Sequence, residues 1–223
     1  MPCLKAKGHP DNKVKYYPAF IDLKDRKAVV VGGGRVAERK VRSLVKAGAL
    51  VSVISPDITA GLERLKEKGK IRHVRRMYRK GDAGDALVVI AATSSPQINK
   101  KVAQDARHLI NVIDMPSEGN FIVPSYVEQD SLAIAVSTSG TSPAVSRAIR
   151  KEIERLYGRE FGRYVRFLER VRQRAMEAIP DDSTRRNFLR SLASEEIFST
   201  LRKEGFTAVS EKILADLNAL TLM

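Results

Sequence analysis

Short apolar runs alternate with amphipathic segments over residues 27–114. The runs KAVVVG at 27–32 and ALVVIAAT at 86–93 have strand length and many β-branched residues. Segment 35–48 repeats apolar residues with a helical period and ends on a glycine. Buried strands that alternate with helices predict a parallel sheet with right-handed crossovers. We therefore expect an α/β, Rossmann-like doubly wound fold, with strands at 27–32, 50–55, 71–75, 86–93 and 109–114 and helices at 35–48, 58–69 and 96–107.

The pattern changes after residue 114. Residues 120–140 predict two strands around a polar turn at 128–131, and residues 141–158 predict a helix. The remainder is predicted to be helical, with breaks at Gly158, Gly162, Pro180 and Gly205.

This change of pattern suggests a division of the chain into three parts. Because a lone hairpin is marginal in water, we expect the two middle strands to pair with another element or with a second copy of the chain. The predicted parts are a Rossmann domain at 1–115, a small α+β dimerisation and substrate region at 116–150, and a C-terminal helical domain at 151–223.

Composition narrows the class of protein. The chain is 43% apolar and 30% charged, and its longest apolar run, at 86–92, is far shorter than a membrane span. A single cysteine, Cys3, suits a reducing compartment, so a cytoplasmic protein is expected. His9, His73 and His108 show no metal-ligand spacing with that cysteine, and no metal site is predicted.

The net charge of +14 favours a polyanionic partner. Nucleic acid, an acidic membrane surface and a small polycarboxylate all meet that description. The basic runs lack interleaved aromatic residues for base stacking, which counts against nucleic acid. We expect neither a nucleic acid nor a membrane as partner.

A glycine-rich turn follows the first predicted strand and opens the first predicted helix. Its form is Gly32-x-Gly34-x-x-Ala37, in which Gly32 makes the turn, Gly34 allows close approach of a pyrophosphate and Ala37 lets the helix pack closely. The alternative is a glycine turn that only connects strand to helix. The predicted cofactor is NAD, held by Gly32, Gly33, Gly34, Arg35, Val36, Ala37, Ser55, Pro56, Asp57, Ala92 and Thr93.

The residue that would bind the ribose is displaced from its usual position. An acidic residue is expected at the end of the second strand, but Ser55 stands there and Asp57 comes two residues later. We expect Asp57 to reach the ribose from the loop, with Ser55 and Pro56 along the adenosine side. No arginine follows immediately in sequence to bind a 2′-phosphate, so NAD is favoured over NADP.

Asp114 follows the fifth predicted strand, at the edge of the sheet where ligands bind. A carboxylate in a partly desolvated cleft can have its pKa raised towards the range of a general base. The sequence DMPS is equally typical of a simple turn that begins on aspartate. Position alone leaves both interpretations open.

Four stretches of the chain resemble one known family. They are residues 16–41, 89–99, 111–125 and 135–154, which hold YYPAFIDLKDRKAVVVGGGRVAERKV, VIAATSSPQIN, NVIDMPSEGNFIVPS and AVSTSGTSPAVSRAIRKEIE. Together they resemble the siroheme synthase N-terminal module family, which comprises precorrin-2 dehydrogenase and sirohydrochlorin ferrochelatase. The resemblance extends from about Tyr16 to Leu156.

The resemblance implies NAD-dependent oxidation of precorrin-2 to sirohydrochlorin on a homodimer, with Asp114 as the acid/base residue. A polycarboxylate tetrapyrrole substrate would also explain the positive charge. Whether ferrous iron is a second substrate stays open. The rival hypothesis is a Rossmann module that senses NAD without catalysis.

The sequence STSGTSP precedes the helix predicted at 141–158. Ser142 before Pro143 is a good N-cap pair, which alone would explain it. The same segment offers hydroxyls and N–H groups to substrate carboxylates, and arginines follow in the first turns of the helix. The candidate substrate residues are Asn111, Ser139, Thr141, Ser142, Arg147 and Arg150.

Overall fold

A computed structural model describes residues 16–221 of the chain, so Cys3 and His9 lie outside the described residues. The chain divides after Val123 into two compact units, and each is described here by itself. No helix within 16–221 is long and apolar enough to span a bilayer.

The first unit is built on a parallel sheet of five strands, which are β1 (Lys27–Val31), β2 (Leu50–Ile54), β3 (Ile71–Val74), β4 (Val88–Ala91) and β5 (Leu109–Val112). Its helices are α1 (Arg35–Lys46), α2 (Ala60–Glu67) and α3 (Pro96–Asp105). The strand order is β3-β2-β1-β4-β5, which confirms the predicted Rossmann-like fold. The carboxyl ends of β1, at the centre of the sheet, and β4, beside it, lie where the strand order reverses, which is the usual position of a ligand crevice.

Alternate residues of the central strands enter two separate apolar layers. Val30 and Ile90 are paired in register and lie in the layer covered by α1, whose Val41 is fully buried. Val89 lies in the opposite layer with Val102 of α3. Burial on both faces explains why the strands are continuous apolar runs.

The free edge of β5 is covered by the chain that follows it. Asn120 accepts the N–H of Ile110 at 2.8 Å and donates its amide to the carbonyl of His108 at 2.7 Å, so its side chain imitates a neighbouring strand. Gly119 runs so close that an added Cβ would lie 2.7 Å from the carbonyl oxygen of Ile110. The predicted strand 109–114 ends earlier, at Val112, because Asp114 adopts a left-handed conformation with φ +64°.

The second unit begins with an antiparallel hairpin and continues in helices. The hairpin turns at Asp130 and Ser131, inside the predicted turn. The elements are β6 (Ser125–Gln129), β7 (Leu132–Val136), α4 (Pro143–Leu156), α5 (Arg159–Ala178), α6 (Asp182–Ser191), α7 (Glu195–Lys203) and α8 (Phe206–Thr221).

The break predicted at Gly162 is wrong. Helix α5 continues through this residue, which lies against the hairpin: an added Cβ would be 2.5 Å from the carbonyl oxygen of Gln129. Gly162 therefore permits close packing. The other predicted breaks are confirmed, because Gly158, Pro180 and Gly205 all fall at helix boundaries.

The helices of the second unit enclose a core of their own. Phe161, Tyr164 and Phe167 of α5 are buried in it, and the hydroxyl of Tyr164 donates to the carbonyl of Leu192. The proposed division of roles among 1–115, 116–150 and 151–223 stays a prediction.

Candidate dinucleotide-binding site

A cleft of about 680 Å³ opens at the carboxyl ends of β1, β2 and β4. It is lined by all the residues predicted to hold the cofactor except Ala37. This residue belongs to the first turn of α1, and its side chain is buried. The lining comprises Gly32, Gly33, Gly34, Arg35, Val36, Ser55, Pro56, Asp57, Ala92 and Thr93, together with Val31, Ile54, Ile58, Thr59, Met77, Tyr78, Ser94, Ser95 and Ile98.

The three glycines of the turn meet different surroundings. Gly32 has φ +121°, and a Cβ there would lie 2.4 Å from the carbonyl oxygen of Ala92. At Gly33 a Cβ would lie 1.9 Å from the carbonyl oxygen of Asp57. At Gly34 a Cβ would meet no atom of the described part of the chain within 4 Å. The first two glycines are thus required by the protein's own packing, and the third leaves space open to the cleft.

Gly34 is also the N-cap of α1, and no side chain of the described residues, 16–221, caps the start of this helix. The first N–H groups of an α-helix have no intrahelical partner and carry the positive end of the helix dipole. Open space beside uncapped N–H groups is the arrangement that binds a phosphate. The residues present therefore fit the pyrophosphate of a dinucleotide.

The loop after β4 is held in shape by Asn99, which sequence analysis did not single out. Asn99 is buried; its side chain accepts the N–H of Thr93 at 3.1 Å and the hydroxyl of Thr93 at 2.8 Å. Its amide donates to the carbonyl of Thr93 at 3.1 Å. Ser95 caps α3 by accepting the N–H of Ile98. The wall at Thr93 is consequently rigid.

The loop after β3 forms a further wall through Tyr78. Asp105 accepts the hydroxyl of Tyr78 at 2.5 Å and the N–H of Gly81 at 2.6 Å. Burial, followed by the hydrogen bond to Asp105, raises the pKa of Tyr78 well above its usual value. The phenol stays neutral and donates to the carboxylate, which fixes its ring at the cleft.

The predicted ribose residue, Asp57, is exposed and lies 3.9 Å from the guanidinium of Arg75, which is equally exposed. No arginine follows Asp57 immediately in sequence, but Arg75 approaches it from the end of the neighbouring strand β3. The carbonyl of Ser55 is 2.9 Å from Nε2 of His73. This contact, between neighbouring strands, holds the end of β2 in position.

Asp114 does not line the cleft. It follows β5 at the same edge of the sheet and its side chain is exposed. Asn111, on β5, is buried; its amide donates to the carbonyl of Phe121 at 3.1 Å, and its Oδ1 has no partner within 16–221. The predicted roles of Asp114 and Asn111 stay predictions.

The remaining predicted substrate residues lie in the second unit. Ser142 caps α4 by accepting the N–H of Val145 at 3.3 Å, as expected. Ser139 has φ +52° and is exposed, as are Thr141 and Arg147, while Arg150 pairs with Glu154 at 2.8 Å.

The segment that contains these residues is organised by Thr138, to which sequence analysis gave no role. The hydroxyl of Thr138 lies 3.0 Å from that of Ser146 and accepts the N–H of Ser142 at 3.1 Å.

Among the described residues, no group of three histidine, cysteine or acidic side chains is placed to hold a metal ion.

The strand order, the glycine turn and the uncapped helix define a dinucleotide-binding domain of the Rossmann class. A family model described as putative NAD(P)-binding matches residues 19–125, and one described as the central part of a sirohaem biosynthesis protein matches residues 129–156. Together the two models cover more than half of the chain. The chain belongs to the siroheme synthase N-terminal module family.

Curated relatives agree with this family. The siroheme synthase of Methylobacillus flagellatus is 38% identical over 77% of this chain and 37% of its own length. The siroheme synthase of Thioalkalivibrio sulfidiphilus is 36% identical over 89% of this chain and 42% of its own length. The chain thus spans about two fifths of these relatives. A solved structure titled SirC, precorrin-2 dehydrogenase, shares the fold with TM-score 0.75 and 24% identity, over 90% of this chain and 100% of that one.

Proposed function

We propose that the chain oxidises precorrin-2 to sirohydrochlorin with NAD as the oxidant, in the cytoplasm. The observation that carries this proposal is a cleft shaped for a dinucleotide in a chain that belongs to the siroheme synthase N-terminal module family. The net charge of +14 suits a polycarboxylate tetrapyrrole.

NAD, when bound, supplies the hydride acceptor for this reaction. The N–H groups at the start of α1 bind the pyrophosphate, and the rigid wall at Thr93 orients the nicotinamide end. Asp114 takes the proton that the macrocycle loses together with the hydride, so that the two hydrogens of the oxidation are accounted for. Asp57 accepts from the ribose hydroxyls and repels a 2′-phosphate, whereas Arg75, 3.9 Å from Asp57, attracts one. We take the effect of Asp57 to be the larger, which favours NAD over NADP.

A spectroscopic assay tests the reaction directly. Purified protein with precorrin-2 and NAD should produce NADH and, in equal amount, the absorbance of the more conjugated tetrapyrrole, whereas NADP should support a slower rate. If NAD binds but the tetrapyrrole spectrum does not change, the protein is a sensor and the proposed catalysis is wrong. Addition of ferrous iron to the product then tests for iron insertion.

We also propose that the chain forms a homodimer through residues 116–150. On α4, Val145 and Ile149 are 48% and 38% exposed, and Leu156, at the end of the same helix just beyond this region, is 51% exposed. Their spacing places them on one side of the helix, within about 40° of each other. A large exposed apolar stripe on a soluble protein commonly marks an interface.

Introducing a charge into this apolar stripe should dissociate the dimer. The wild-type chain is expected at twice the mass of one chain in light scattering, and Ile149→Glu at the mass of one chain, with its helical content unchanged. Lys151→Glu, on another side of α4, is the matched control and should remain dimeric. A monomeric wild-type chain, or a dimeric Ile149→Glu variant, would contradict the proposed interface.

A further inference from the structure

Directly behind the glycine turn, one carboxylate joins α1 to the loop that precedes α2. The hydroxyl of Thr59 donates to Oε2 of Glu38 at 2.5 Å. Arg42 donates to Oε1 through Nε at 2.9 Å and Nη2 at 2.6 Å. Both carboxylate oxygens are therefore occupied by donors from the protein itself.

Thr59 continues this chain of contacts to the turn. Its backbone N–H donates to the carbonyl of Gly33 at 3.0 Å, and its hydroxyl oxygen accepts the N–H of Leu62 at 3.3 Å. Glu38 thus fixes the hydroxyl of Thr59, and the backbone of Thr59 fixes the carbonyl of Gly33. With that carbonyl occupied, Gly33 has a defined orientation relative to α2.

Packing leaves this arrangement little room to shift. An added Cβ at Gly61 would lie 1.8 Å from Oε1 of Glu38, and one at Gly33 would lie 1.9 Å from the carbonyl oxygen of Asp57. The carboxylate lies against the first turn of α2, and the glycine turn lies against the loop before it. Asp57 and Gly61, which make these two close contacts, lie two residues before and two residues after Thr59 in the chain.

The charge of Glu38 requires an explanation of its own. The hydrogen bond from Thr59, followed by that from Arg42, lowers the pKa of Glu38, so it is an anion at neutral pH. An anion only one helical turn from the N-terminus of α1 opposes a bound pyrophosphate by simple Coulomb repulsion. Arg42 offsets that charge, so the carboxylate acts through the donors it holds.

We propose that Glu38 is a positioning residue for the dinucleotide pyrophosphate, acting through Thr59 and the carbonyl of Gly33. It holds the turn so that the N–H groups that begin α1 face the open space at Gly34. This inference rests on the proposed function only in that the cleft binds a dinucleotide, and it is independent of the tetrapyrrole reaction.

The test compares ligands with and without the pyrophosphate. We expect Glu38→Ala to weaken binding of NAD and ADP-ribose about tenfold, because small displacements of positioning groups have effects of this order or more. Adenosine, which lacks the pyrophosphate, should lose less than about threefold. In turnover, KM for NAD should rise while kcat stays within about twofold, because the carboxylate does not touch the reacting atoms.

Three further variants separate positioning from a general loss of structure. Thr59→Ser keeps the hydroxyl and should bind NAD like the wild type. Glu38→Gln has one acceptor oxygen where the carboxylate has two, so it keeps only one of the two donors, and its affinity for NAD should be intermediate. Glu63→Ala is the matched control: the carboxylate of Glu63 forms an ion pair with Lys66, 2.8 Å away at the surface of α2. This variant should change nothing.

If Glu38→Ala loses affinity for NAD and for adenosine by the same factor, or binds NAD normally, the inference is overturned. Normal NAD binding by a wild-type chain that does not oxidise precorrin-2 would refute the proposed function alone. If Glu38→Ala does not fold, Glu38→Gln still gives the comparison between NAD and adenosine, with Thr59→Ser as its conservative reference.

Discussion

Asp114→Asn should lower the rate of NADH formation from precorrin-2 at least about a hundredfold, while NAD binds with unchanged affinity. The amide cannot take the proton that leaves with the hydride. Because Asp114 is outside the lining of the dinucleotide cleft, its replacement should not alter that cleft. Stopped-flow absorbance at saturating NAD measures the rate, and calorimetry measures the NAD affinity.

The choice of asparagine follows from the backbone of Asp114. Its φ of +64° lies in the left-handed region, which asparagine tolerates far better than alanine does. Asp114→Gly also accepts this conformation and should be equally inactive, whereas Asp114→Ala adds backbone strain to the loss of the carboxylate. Agreement between the asparagine and glycine variants would separate proton transfer from strain.

Asp25→Asn is the matched control for this experiment. Asp25 is another left-handed aspartate, with φ +59°, but it precedes β1 at the opposite edge of the sheet. This variant should be fully active. Wild-type turnover by Asp114→Asn would show that another group takes the proton and that Asp114 is a turn residue only.

The parts of the fold that are local in sequence could be predicted from it. Strands β1 and β4 are buried on both faces, so each appears as an apolar run between turns. Their parallel pairing follows from the helices between them. Only the ends were inaccurate: the strand predicted at 109–114 stops at Val112, because Asp114 turns the chain.

The parts that depend on contacts between distant residues could not be predicted. Glu38 and Thr59 are 21 positions apart, and only the packing of α1 beside α2 brings them together. Arg75 approaches Asp57 because β3 lies next to β2. Gly162 suggested a helix break, since a glycine within a helical pattern gives no sign of the hairpin packed against it.

The three glycines of the turn show the same limit and provide the second large prediction. The sequence pattern assigns roles to Gly32 and Gly34 and none to Gly33, but Gly33 is confined by the carbonyl of Asp57, whereas Gly34 borders open space. Alanine at Gly33 must displace backbone, which typically costs about 1–3 kcal/mol or more of the free energy of unfolding. Gly34→Ala should cost less than about 1 kcal/mol, because only the N-cap preference changes and its backbone is extended.

NAD binding should not follow the order in which these two variants lower the free energy of unfolding. The Cβ of Gly34→Ala would occupy the space through which a pyrophosphate approaches the N–H groups of α1, so NAD affinity should fall about a hundredfold in a protein of nearly normal stability. Thermal unfolding and calorimetry with NAD measure the two effects separately. A stable Gly34→Ala variant that binds NAD normally would place the pyrophosphate elsewhere, and the proposed use of this cleft would fail with it.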